Sequence, residues 1–437
     1  MQQKEAQPRL IQAMRDAFSL PDLRQRLFFT FGILVAFRFL VHVPLPGVDP
    51  QALSEFFEQN ALLGMLDLFS GGAMSNFSVA AMGVYPYITA TIIMQLLVPV
   101  IPSLQAISQQ GEAGQRRINQ ITHFLTVPLA ALQGYSQLSI LTSQNVISRP
   151  GTLTTATILV SMTAGTMFLV WLGERITERG IGNGISIIIF GGIVASLAES
   201  VGRIGVAFQD NPLGTLAFAI VGAATLVFIV VFIEAHRRIP VQYARSTFRG
   251  GRMYRQSGST YIPLRVNTAG MIPLIFAIAI MQMPRLIASF FMNPQVPNFW
   301  DGMYRAFDPA AALPEGLLYW GFYFLLVFGF TFFYTMVIFE QMNLPRTLQQ
   351  QGGFVPGVRP GKSTADYLNA VIRRLTFGGA TFLAFVAIMP FLARLVTGVT
   401  VLTISSTAIL IAVGVALDTM KQLESQLTMR RYDGFLK

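Results

Sequence analysis

The sequence predicts an all-α polytopic membrane protein: ten transmembrane helices in two pseudo-symmetric halves of five, with one re-entrant half-helix. Three observations carry this prediction. The 437 residues are 53% hydrophobic and only 12% charged, well below the charged share of roughly a quarter found in soluble domains. Ten apolar runs recur at lengths that cross or nearly cross a hydrocarbon core of about 30 Å. The lysines and arginines gather in alternate connections between those runs.

Taken in order, residues 1–26 place Leu10, Met14 and Phe18 at i, i+4 and i+8 among Lys4, Arg9, Arg15, Arg24 and Arg26, a pattern suited to an amphipathic helix on an anionic surface. The first span runs from Leu27 to Val43. A basic flank before an apolar run also describes a signal peptide, but VHVPLPG offers no small-residue cleavage site and many spans follow. Residues 44–60 carry Asp49, Glu55 and Glu58 and no basic residue, as an outside segment does. Ala61 to Phe69, ALLGMLDLF, is apolar over nine residues, roughly 13 Å of helix and less than half a bilayer core. It cannot span alone. Followed by Gly71, Gly72 and a full span, it reads as a re-entrant element, and irregular backbone at that depth persists only against protein or water. A route through the protein follows from that reading.

Further spans are predicted over 77–98, 118–138, 154–172, 184–198, 213–233, 268–291, 317–339, 376–395 and 401–417. An even count places both termini on one side. Lys plus Arg number five in 1–26, two in 98–117, two in 173–183, seven in 234–267, five in 341–374 and four in 419–437, which is 25 of 31. By the positive-inside rule these segments face the cytoplasm. The predicted organisation is a cytoplasmic segment 1–26, an N-terminal half 27–198, a C-terminal half 199–418 with basic loops 234–267 and 341–374, and a tail 419–437. Such repeats place a site at the interface of the halves. Few ionisable residues fall near mid-membrane, which argues against a proton- or ion-coupled carrier. Cys is absent, so no thiolate metal site or disulfide is available. His42, His123 and His236 fall at no ligand spacing and read as interfacial or loop residues.

At Ser70 to Leu97, SGGAMSNFSVAAMGVYPYITATIIMQLL, and at Trp171 to Ile189, WLGERITERGIGNGISIII, the chain resembles the SecY family, the channel subunit of the Sec protein-conducting translocon. RVNTAGMIPLIF at Arg265 to Phe276 and GGFVPGVRPGKSTADYL at Gly352 to Leu368 extend the resemblance over essentially the whole chain. It implies that residues 61–75 are a plug, with Leu62, Leu63, Leu66, Asp67 and Phe69 in its body and Gly71 and Gly72 as hinge. It also implies an aliphatic pore ring of Val84, Ile88, Ile185, Ile189, Ile275 and Ile411. From the residues alone, aliphatic side chains at helical spacing are core or lipid-facing far more often than a gate. Val84 and Ile88 are four apart on one helix face, with Pro86 between them expected to loosen the local helix. Val84 stands where the family more commonly has isoleucine.

The resemblance further implies a lateral gate between the second and seventh spans, for which Thr91, Gln95, Gln282 and Met283 are the candidates. Polar side chains such as Thr89, Thr91 and Gln95 otherwise glue helices in lipid, and Met283 offers a flexible apolar contact. The two basic loops, long and rich in Arg, Gly and Pro, are expected to be ordered and finger-like. The implied partners there are the ribosome and the SecA motor ATPase, met by Arg252, Arg255, Arg359 and Lys362. Small SecE and SecG membrane subunits, signal-sequence-bearing preproteins and membrane lipid complete the implied set, with no DNA.

GVRPGKS at Gly357 to Ser363 has three residues between its glycines where a phosphate-binding loop needs four, a proline lies inside it, and no preceding strand is predicted. GIGNG at Gly180 to Gly184 lacks dinucleotide-site spacing. No catalytic constellation stands out, so no enzyme activity, cofactor or metal is predicted. The expected function is passage of unfolded secretory polypeptides across the bacterial cytoplasmic membrane and lateral release of membrane segments. A secondary transporter for small solutes is the alternative, and a scaffold or insertase that opens no pore is a third class.

Overall fold

The computed structural model describes residues 18, 20–46, 53, 67, 70–143, 146–147, 151–196, 212–249, 252–270, 272–291, 298–308, 315–342, 344–359, 361–397 and 406–435. In chain order these form α1 (Pro21–Val41), α2 (Tyr85–Val100), α3 (Pro102–Ser108), α4 (Glu112–Ser143), α5 (Thr152–Arg179), α6 (Gly184–Ser196) and α7 (Pro212–Glu234). Strands β1 (His236–Arg249) and β2 (Arg252–Arg265) follow, then α8 (Ile272–Phe291), α9 (Phe299–Ala306), α10 (Glu315–Met342), α11 (Leu344–Gln350), β3 (Gly353–Phe354), α12 (Lys362–Thr397) and α13 (Ser406–Phe435).

Each of the ten apolar runs overlaps a helix, though the second is helical only from Tyr85. Among the described residues, four helices are long and apolar enough to cross a membrane: α5, α7, the stretch Gly316–Gln350 that holds α10, and Lys362–Ala393 of α12. α2 and α3 qualify together as a fifth, while α6 and Ile272–Met281 are shorter apolar helices. Leu10 and Met14 of the amphipathic segment, and Leu62, Leu63, Leu66 and Phe69 of the half-helix, lie outside the described residues.

Three sequence expectations change. The fold is mostly helical rather than all-α: the two basic connections form a three-stranded sheet in the order β2-β1-β3, because backbone pairing satisfies the polar groups of segments that carry no helical apolar period. The second apolar run does not become helix at Phe77 but at Tyr85, because residues 71–84 make turns. Their donors are taken by non-helical acceptors. The Asp67 carboxylate accepts from the Met74 and Ser75 amides at 3.0 and 2.9 Å. The Leu45 amide donates to Phe77 and the Val79 amide to Val43, both at 3.0 Å, around a Pro44–Ser78 bridge. With those groups satisfied, an apolar composition gives no reason for a helix. Pro86 does not loosen the helix either, since it sits in the first turn of α2, where its missing N–H is not needed. The sharp break comes at Ile101, whose extended backbone (φ −97°, ψ 113°) precedes Pro102 and turns α3 from α2 by 103°, as a pre-proline residue favours.

The chain divides into two compact units. One comprises Met1–Pro212, Arg285–Ala312 and Thr400–Lys437, the other Leu213–Pro284 and Leu313–Val399. In the first, Phe77, Ala81 and Met82 of the turn segment pack into a buried cluster with Ala130, Leu138, Ile158 and Met162 of α4 and α5. In the second, α10 and α12 interlock through ring pairs Trp320–Phe391, Phe324–Phe385 and Phe328–Phe377, with centroids 5.7, 5.5 and 5.7 Å apart. Only 11% of the apolar window of α7 is buried. Exposed Phe28, Phe31, Val35 and Phe39 along α1 make a similar face. Surfaces this apolar are stable in lipid and would associate in water.

Candidate functional site

The two basic connections come together in the second unit. β1 and β2 pair antiparallel over their whole length, from His236 with Arg265 to Arg249 with Arg252, making a hairpin about 45 Å long at the usual rise per residue. Gly250 and Gly251 stand between the last pair in the sequence, the composition of a two-residue hairpin loop. β3, from the later basic connection, adds to β1 by pairing Phe354 with Gln242 and Gly353 with Tyr243. The alternation of the strands sends Ile239, Val241, Ile262 and Leu264 to one face, where they join Leu348, Val355, Leu368 and Ile372 in one cluster. The sheet therefore anchors both connections against α11 and the adjoining ends of α10 and α12 by ordinary apolar burial.

That core displays its charges outward. Arg237, Arg238, Arg265, Arg346, Arg359, Lys362, Arg373 and Arg374 are all exposed. Arg238 lies over the Tyr261 ring at 4.9 Å, a cation–π contact. Arg359 stands on the turn after β3. Its neighbour Val358 packs against the apolar cluster, and its carbonyl accepts from Thr364 Oγ1 at 2.9 Å. The backbone is thus held while the guanidinium stays free to meet carboxylates or phosphates. Arg252 and Arg255 lie at the far end of the hairpin, opposite Arg249 and Ser246; their side chains lie outside the described residues. Ile239→Ala should cost about 2–5 kcal/mol of local stability and loosen both connections together. The check is limited proteolysis, in which cleavage should rise within 236–265 and 344–361 and leave α1–α6 unchanged.

In the first unit, Val84 is 4%, Ile189 5% and Ile411 0% exposed, whereas Ile88 and Ile185 are half-buried. Ile275, also half-buried, belongs to the second unit. Val84 is the residue before α2, and its carbonyl accepts from the Ile88 amide at 3.1 Å, so the two still stack one turn apart. Ile185 is placed by the crossing of α5 and α6. A Cβ on Gly184 would collide with the Gly173 carbonyl, and one on Gly173 would meet Ile185 Cδ1 at 2.5 Å, so only glycines let the helices approach this closely. The GIGNG turn is a capped helix start: Asn183 Oδ1 accepts from the Ser186 amide at 3.3 Å, and Thr177 Oγ1 accepts from Gly184 at 2.9 Å. Thr30 of α1 accepts from the Ile181 amide at 3.3 Å.

Of the seam candidates, Thr91 Oγ1 donates back to the Tyr87 carbonyl at 2.9 Å, Gln95 Oε1 is buried with no hydrogen-bond partner among the described residues, and Met283 is half-buried. The Gln282 side chain lies outside the described residues. Thr89 receives Gln133 Nε2 of α4 at 3.5 Å. His123 is not a loop residue: it lies within α4, its Nε2 is 3.0 Å from Glu174 Oε1 on α5, and the Tyr87 ring packs at 5.7 Å. Sequence reading missed Gln133, Asn183 and the His123–Glu174 pair. A polar residue followed three places on by a helix's first turn was the available signal for Asn183; the other two depend on helix pairing.

The SecY family profile matches residues 78–420. The chain is 43% identical to the protein translocase subunit SecY of Thermotoga maritima, covering 98% of each chain. It superposes with a TM-score of 0.65, at 16% identity over 97% of each chain, on a structure described as showing that the plug domain of the SecY protein stabilises the closed translocation channel and maintains a membrane seal. Sec61 in the canine ribosome–channel complex superposes with a TM-score of 0.63, at 16% identity and 97% coverage of each chain.

Proposed function

The chain belongs to the SecY family, and from that premise we propose that it is the protein-conducting channel subunit of a translocase, passing unfolded secretory polypeptides through a membrane. The observation that carries this is the match to translocase subunits over nearly the full length of both chains. It is a channel rather than an enzyme. Ten spans cross the bacterial cytoplasmic membrane with both termini inside, a reading supported by the 25 of 31 basic residues on one set of connections. Residues 61–75 act as a plug. The ring of Val84, Ile88, Ile185, Ile189, Ile275 and Ile411 holds ions back by dewetting, yet deforms around an extended chain because branched aliphatic groups grip no particular sequence.

The sheet-anchored basic surface binds the ribosome or the SecA motor, which supplies the energy together with the membrane potential. Thr91, Gln95, Gln282 and Met283 line a lateral exit to lipid for signal sequences and new spans. SecE and SecG are its small membrane partners. The test is reconstitution of the chain with those two subunits in proteoliposomes. A signal-bearing precursor should become protease-protected on addition of motor and ATP, and a signal-less one should not. Protection of neither would reject the channel reading. Deleting residues 61–68 should raise ion conductance in a planar bilayer while transport persists; an unchanged conductance would remove the plug assignment.

A further inference from the structure

If Val84, Ile185 and Ile189 share one constriction, α6 must be fixed against the segment that ends at Val84. The fixing point is in α1. The Arg38 guanidinium donates to the Gly71 carbonyl at 2.6 Å in a part-buried site, a charge-assisted bond. Gly71 lies directly against α6: a Cβ there would come within 2.6 Å of Gly192 Cα and 3.3 Å of Phe37 Cζ. Its φ of +70° also favours glycine. Phe37 is 1% exposed. One residue earlier on α6, a Cβ on Gly191 would meet Leu34 Cδ2 at 2.8 Å. So the Gly71 turn and α6 meet backbone to backbone, three residues past Ile189, and α1 closes on both through the side chains of Leu34, Phe37 and Arg38.

The contact is stiff on the other side as well. Between Gly71 and Val84 the chain is knitted by Asp67 to Met74 and Ser75, by Ser70 Oγ to the Met74 amide at 3.1 Å, and by Ser78 Oγ to the Ala73 carbonyl and the Ala80 amide at 3.1 and 3.2 Å. A displacement at Gly71 is therefore carried to Val84 rather than absorbed.

We propose that Arg38, Gly71 and Gly192 form a joint that sets the width of the ring, fixing Ile185 and Ile189 relative to Val84 so that the ring opens only when α6 leaves Gly71. The inference rests on the channel reading above. Arg38 is a positioning residue that acts through the Gly71 carbonyl and not on the passing chain.

The test uses the complex of this chain with its small membrane subunits in planar bilayers, reading resting ion conductance. Arg38→Met keeps the length and apolar stem of the side chain but removes the donor, and conductance should rise roughly tenfold, the scale of losing a charge-assisted hydrogen bond. Arg38→Lys, which keeps a donor and the charge, should restore most of the seal. Gly71→Ala presses a methyl onto Gly192 and should leak comparably. The double variant Arg38→Met with Gly71→Ala should leak little more than the worse single, since both break one joint. Ile411→Asn serves as the control for the channel reading. Leak from Ile411→Asn with a wild-type seal in Arg38→Met overturns the joint and leaves the channel reading standing. Fully additive leaks from Arg38→Met and Gly71→Ala overturn it too. A wild-type seal in every variant, Ile411→Asn included, overturns the ring and the joint with it.

Discussion

Arg359→Glu is expected to abolish motor-driven transport while leaving the channel folded. Arg359 is exposed, and the turn that carries it is held from beneath by Val358 and by the Thr364 hydroxyl on its carbonyl. The substitution therefore removes no buried contact. Its effect is electrostatic: reversing one charge in a surface that also displays Arg346, Lys362, Arg373 and Arg374 replaces a bidentate donor with a repelling group. Truncating one member of a desolvated charge pair costs about 2–5 kcal/mol, which lowers partner affinity by well over tenfold. Binding of the motor and precursor import into proteoliposomes should both fall, with the melting temperature unchanged. Normal import would show that the surface serves only topology.

Ile411→Asn is expected to loosen the closed state. Ile411 is 0% exposed on α13, so asparagine would bury an amide without a designed partner, at a cost of about 1–3 kcal/mol. Spread over a closed–open equilibrium, that corresponds to roughly a 5- to 150-fold shift. Resting ion conductance should rise accordingly, and precursors with weakened signal sequences should be imported more readily. An unchanged leak together with unchanged signal selectivity would remove Ile411 from the ring.

The helices were legible because hydropathy over ten runs is a long, redundant signal, whereas the turns over 71–84 were not. That segment is apolar enough to be helix, and what prevents it is a set of bonds from Asp67, Val43 and Leu45, residues too distant for local periodicity to include. The sequence implies ordered, finger-like basic loops but neither the β-hairpin nor its union with β3, because the arginine-rich strands lack a clean apolar alternation and a two-residue strand has no pattern of its own. It is fixed instead by Tyr243 and by the apolar cluster beneath it. Ring candidates such as Ile185 came from family resemblance, since an isoleucine at helical spacing does not differ from any core isoleucine. Only in the fold does Gly173 appear pressed against it. Arg38 was visible as a charge near the end of the first span, but its partner is a backbone carbonyl 33 residues away, which no side-chain pattern marks.

The most direct test of a polypeptide path uses the absence of cysteine in the chain. With Ile88→Cys or Ile411→Cys in the channel and one cysteine in an arrested secretory precursor, a disulfide should form between them when the precursor carries a functional signal sequence. Moving the channel cysteine to Phe39, on the exposed face of α1, should abolish it. No disulfide with a precursor shown to be docked and motor-engaged would contradict the central path.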